Sequence, residues 1–80
     1  MKYEVVITIS LKEGMLNPEA EAIQRAIAHL GYGVDHLQKR DQYRITLDAG
    51  DKQEAEKIAG SICDRLLANP VIHTYTIEVI

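Results

Sequence analysis

Cys63, the serines Ser10 and Ser61, and the histidines His29, His36 and His73 carry the nucleophilic and metal-ligating chemistry of this chain. Their spacing does little with it. Neither serine sits in a G-x-S-x-G elbow. The histidines form no i, i+4 or H-x-H pair of the kind that grips a metal. Cys63 is the single cysteine, so an internal disulfide and a thiolate cluster are both excluded. It falls on the apolar stripe of a helix, where a thiol fills volume as a small hydrophobe. Gly31-Tyr32-Gly33 lacks the third glycine of a dinucleotide fingerprint, and there is no P-loop. Glu54, Glu56 and Asp64 read as helix-surface charges, with nothing to set two carboxylates in one cleft for acid-base work. This inventory is that of an interaction module, with no catalytic, cofactor-binding or metal-binding residue expected.

The elements that carry these residues must come from one small domain, residues 1–80. A chain of this size hides only about 60% of its unfolded surface, so its core is thin. Hydrophobic residues make up 46% and charged residues 26%, which argues against disorder. A net charge of −3 argues against a nucleic-acid partner. Four tyrosines without Phe or Trp do not make an RNA-recognition sheet. No apolar run reaches the ~20 residues of a membrane span, and the first residues do not open a signal peptide. The expected setting is cytoplasmic.

Lys2 to Leu11 alternates, with Tyr3, Val5, Ile7, Ile9 and Leu11 on one face, and reads as a strand buried on one side. Asn17-Pro18 starts a helix, the asparagine as N-cap and the proline at the first helical position. Ile23, Ala26, Ile27 and Leu30 give that helix an apolar stripe, and Gly31 ends it. Val34–Lys39 and Tyr43–Asp48 are expected to form two short strands around a turn at Arg40-Asp41-Gln42. Asp51 and Glu54 open a second helix with the stripe Ala55, Ile58, Ala59, Ile62, Cys63, Leu66 and Leu67. Gly60 inside it is either a tolerated glycine or a point of close backbone approach. Asn69-Pro70 stops the helix, and Val71–Ile80 forms a last strand.

The order β-α-β-β-α-β predicts an α+β two-layer sandwich of the ferredoxin-like kind. Its sheet is four-stranded and antiparallel, with both helices on one face. The first and third strands should be central. The last strand, long, β-branched and nearly uncharged, is then a bare edge that invites another chain. The outer face, with Val6, Thr8, Thr46, Thr74 and Thr76, is a solvated surface or a second docking surface.

Two segments say more. Leu11-Lys12-Glu13-Gly14-Met15-Leu16-Asn17-Pro18 resembles the L-K-x-G-V-L-D-P opening of the PurS family. Cys63-Asp64-Arg65-Leu66-Leu67-Ala68-Asn69-Pro70-Val71-Ile72, with Tyr75 and Glu78 beyond it, is similar to that family's C-x-K-L-L-A-N-P-V-I-E-x-Y-x-x-E-V ending. The resemblance implies the small subunit of phosphoribosylformylglycinamidine synthase, a glutamine-dependent ligase of purine biosynthesis. It further implies a homodimer or tetramer that joins a PurL-type synthetase subunit to a PurQ-type glutaminase subunit. ATP and magnesium would be used by the synthetase subunit, with no cofactor in this chain.

Departures from the family pattern are Asn17 and Ala20 at the helix start, the turn through Arg40-Asp41, and His73 where glutamate is usual. Lys12, Gly14, Asn69, Pro70 and Tyr75 are the interface candidates, because motif identity and a loop or edge position coincide there. For Gly14, Asn69 and Pro70 the competing reading is turn shaping alone. Fold alone leaves another class open, a small ligand-sensing module of the ACT-like kind. An acylphosphatase-like enzyme fits worse, since Leu11 to Leu16 offers Lys12 and one glycine but no phosphate-cradling arginine.

Overall fold

Val5, Ile7 and Ile9 lie almost completely buried along one side of the first strand, and the molecule is organised around them. The computed structural model describes residues 1–80. In chain order it contains β1 (Lys2–Leu11), α1 (Pro18–His29), β2 (Asp41–Asp48), α2 (Lys52–Ile62), a π-helical turn over Cys63–Leu67, and β3 (His73–Val79). The sheet has three antiparallel strands in the order β2-β1-β3. Ile7 faces Tyr43 on one side and Ile77 on the other, so the alternation of β1 sets the helix-facing side of all three strands. Ala55, Ala59 and Cys63 of the second helical segment close the core over that face. Alanines let the helix approach the sheet closely, which suits a core this small.

The sheet is therefore not four-stranded. Val34–Lys39, expected as a strand, is irregular, and no residue from Gly33 to Arg40 makes a backbone–backbone hydrogen bond. Strand geometry without a neighbour satisfies no ladder, and no part of this chain lies alongside to provide one. The turn expected at Arg40-Asp41-Gln42 is absent too, because β2 already starts at Asp41, opposite Ile9. Only β1 is central; β2, expected inside the sheet, is an edge, like β3.

The two helices also do not share the sheet. α2 packs on β1 and β3, whereas α1 belongs to none of the main packings between elements. Instead, α1 and the segment returning from it form an arm beyond one end of the sheet. Gln24 Nε2 donates to the Val34 carbonyl at 3.1 Å, and Lys39 pairs with Glu19 at 2.9 Å, so helix and return segment hold each other. The molecule extends 51 × 24 × 15 Å, with a radius of gyration of 16.0 Å. A compact chain of this length would have about 12 Å.

The expected caps are present. Asn17 Oδ1 accepts from the amides of Glu19 and Ala20 at 3.0 and 3.2 Å, and Asp51 Oδ1 accepts from Glu54 at 2.8 Å. Gly31 takes a φ of +95° just beyond α1. No helix is long and apolar enough to cross a membrane.

Candidate functional site

The segment from Cys63 to Tyr75 does more than end a helix. The Ala68 amide bonds to the Cys63 carbonyl at 2.9 Å, a five-residue step that widens the last turn before Asn69-Pro70. Such turns are rare and often mark functional sites. Asn69 then builds a tight corner. Its Oδ1 accepts from the Val71 amide at 3.0 Å, and its carbonyl accepts from Ile72 and His73 at 3.0 and 2.7 Å. The Asn69 amide donates to His73 Nδ1 at 2.9 Å, so the imidazole at the position of the family's glutamate serves the corner as an acceptor.

The Lys12 amide donates to the Ile72 carbonyl at 2.8 Å, which brings the two motif segments together. Lys12, Pro70 and Tyr75 consequently line one crevice of about 180 Å³, with Asp64, Ala68, His73 and Thr74. The Tyr75 hydroxyl donates to Asp64 Oδ1 at 3.0 Å. That hydrogen bond holds the Tyr75 phenol above its ordinary pKa, with burial and the Asp64 charge adding to it. Burial first, and the Asp64 charge second, also push the Cys63 thiol up, which makes it a poorer nucleophile than a free thiol.

Among the five expected interface residues, the structure thus gathers Lys12, Pro70 and Tyr75, with Asn69 shaping the corner beside them. Gly14 lies elsewhere. It takes a φ of +85° and lines a groove of about 390 Å³ at the root of the arm, with Lys12, Asn17, Ala20 and Leu37. Asp64 and His73 contribute side chains that sequence reasoning did not assign to the site. The Asp64–Tyr75 bond had no signal in the sequence, since it spans a turn and a strand boundary. At Gly60 no backbone comes near; a Cβ there would meet only Ile77 Cδ1 at 4.0 Å.

Comparison with known proteins decides the family. The PurS family model, described as phosphoribosylformylglycinamidine (FGAM) synthase, matches residues 4–80. The chain belongs to the PurS family. Subunit PurS of phosphoribosylformylglycinamidine synthase from Methanothermobacter thermautotrophicus is 44% identical over 79 residues, covering 99% of this chain and 94% of that protein. The crystal structure of Methanocaldococcus jannaschii PurS, one of the subunits of formylglycinamide ribonucleotide amidotransferase, superposes with a TM-score of 0.88 at 38% identity. It covers 98% of this chain and 95% of that one. A chain of PurLQS from Thermotoga maritima reaches a TM-score of 0.90, covering 100% of this chain and 99% of that one, at 23% identity, which is a likeness of fold. Agreement over nearly whole chains means that the outstretched arm is part of the PurS fold, not a peculiarity of this sequence.

Proposed function

We propose that this chain, as a single domain of residues 1–80, is the non-catalytic small subunit of a glutamine- and ATP-dependent phosphoribosylformylglycinamidine synthase. Acting in the cytoplasm as a homodimer or tetramer, it joins a PurL-type synthetase subunit to a PurQ-type glutaminase subunit. The assembly converts formylglycinamide ribonucleotide to formylglycinamidine ribonucleotide in purine biosynthesis, and ATP and magnesium serve the synthetase subunit. The observation that carries this reading is the PurS match over residues 4–80. The likeness to a chain of PurLQS supports the assembly role. Lys12, Gly14, Asn69, Pro70 and Tyr75 are the residues proposed to meet other subunits.

The test is reconstitution with the PurL-type and PurQ-type proteins of the same cell. Glutamine-dependent turnover should need all three chains, and this chain alone should show none. Equal turnover with this chain omitted would refute the proposal. Calorimetry against amino acids and nucleotides separates it from a ligand-sensing module, which would bind one of them without either partner.

A further inference from the structure

The Asn69–Pro70 corner is closed by one residue acting twice. The His73 amide donates to the Asn69 carbonyl at 2.7 Å, and the Asn69 amide donates back to His73 Nδ1 at 2.9 Å. The second bond is the only one the Asn69 amide makes, since no main-chain carbonyl accepts from it. An acceptor at Nδ1 requires a lone pair there, so the ring that closes the corner is neutral, with its hydrogen on Nε2. The ring is half-buried while Asn69 is exposed, so water and its protons reach the bond.

We propose that His73 is a proton-operated latch on this corner, and through it on the crevice where Lys12, Pro70 and Tyr75 meet. A proton taken from solvent onto Nδ1 turns the acceptor into a donor. Two N–H groups then face each other, the Asn69 amide loses its only partner, and the imidazolium turns out to water. Closure therefore selects the neutral ring; it is complete at high pH and lost as pH falls through the titration of the imidazole. The charges around the ring do not forbid the proton. Lys12 and the Asp64–Tyr75 pair face it from the crevice, and Glu19, Lys39 and Asp41 from the depression on its other side. Lys39 is already engaged by Glu19 at 2.9 Å. Imidazole changes charge between about pH 5 and 8, whereas the glutamate of the family pattern stays an acceptor throughout that range. The histidine thus makes pH-dependent a corner that a carboxylate would hold shut. The proposal rests on the reading that this crevice meets other subunits, and adds a condition under which it does.

His73→Gln supplies the reference, because its side-chain oxygen accepts from an amide at every pH. In amide hydrogen exchange read by NMR, the Asn69 protection factor of the unmodified chain should fall about three- to tenfold from about pH 7.5 to about pH 5.5, the effect of one lost hydrogen bond. The fall should share its midpoint with the His73 ring signals, not with those of His29 or His36, and should vanish in His73→Gln. Affinity for the PurL-type and PurQ-type subunits, taken as the ratio of the unmodified chain to His73→Gln, should drop by a similar factor over the same range. That ratio cancels any titration within the partners. An Asn69 amide that keeps its protection while the ring titrates overturns the latch. Protection lost with the ring at a constant affinity ratio overturns its hold on assembly. Failure of both chains to bind the partners at any pH refutes the preceding reading alone, because the exchange measurement still decides the latch.

Discussion

The Tyr75 hydroxyl and Asp64 Oδ1 lie 3.0 Å apart and tie β3 to the π-helical turn. The phenol donates, so the bond exists only while Tyr75 keeps its proton. A phenol whose pKa is raised by folding contributes stability that is complete below the ordinary tyrosine value of about 10. That contribution is lost as pH climbs through the raised folded value. An ultraviolet titration of the folded protein should therefore show one tyrosine ionising after the others. Asp64→Asn, which removes the charge, should draw that last phase back toward the rest, and Tyr75→Phe should delete it. A late phase that survives Tyr75→Phe would place the effect on another tyrosine.

Ile7 is fully buried between Tyr43 and Ile77 under the alanines of α2. Ile7→Ala should lower stability by about 2–5 kcal/mol and Ile7→Val by about 0.5–1.5 kcal/mol, read from urea denaturation. In a domain with so small a core, the larger loss approaches the whole folding free energy. Leu66→Ala, at a position 79% exposed on the outer side of the same helical segment, should stay within about 0.5 kcal/mol. A comparable loss at both sites would mean that Leu66 is covered in solution.

The elements of local origin were legible in the sequence, and those that depend on a neighbour were not. The alternation of β1 announced Val5, Ile7 and Ile9 as core, and Asn17-Pro18 and Asp51 announced both helix starts, because these signals lie within a few residues. The stripe Ile23, Ala26, Ile27, Leu30 was equally clear, but a stripe states only that a helix needs cover. It does not state whose cover, and here α1 leaves its own sheet. Val34–Lys39 misled for the same reason, since strand propensity is a preference for a pleated, half-buried surface that this chain does not supply there. At the site, the structure brings the Lys12 and Leu-Leu-Ala-Asn-Pro motifs together around one crevice, a proximity that their separation in sequence does not announce. Asp64 was invisible because its partner depends on the path of the chain through the π-helical turn.

Lys12 separates scaffold from surface. Its amide holds the Ile72 carbonyl, a main-chain bond that any residue but proline can make, while its side chain is exposed at the crevice mouth. Lys12→Glu should leave the circular-dichroism melt unchanged and weaken co-purification with the PurL-type and PurQ-type subunits. The loss should be steeper at low salt, where exposed charges are least screened. A lowered melt with normal co-purification would make Lys12 a residue of the fold.

Gly14 and Gly60 should respond to alanine with opposite signs, because they are glycine for different reasons. At Gly14 an added Cβ meets nothing within 4 Å, so only the backbone resists; with φ at +85°, alanine is strained. Gly14→Ala should destabilise by about 1–2 kcal/mol, the penalty of a left-handed conformation for a residue with a Cβ. Gly60 sits inside α2 with ordinary helical geometry, and an added Cβ would make a normal contact with Ile77 Cδ1 at 4.0 Å. Gly60→Ala should stabilise by up to about 1 kcal/mol, since alanine gives up less backbone freedom in a helix. Paired urea melts of the two variants decide the matter. A destabilised Gly60→Ala would show that a second chain approaches α2 at that point, where the isolated molecule offers only the ordinary contact with Ile77.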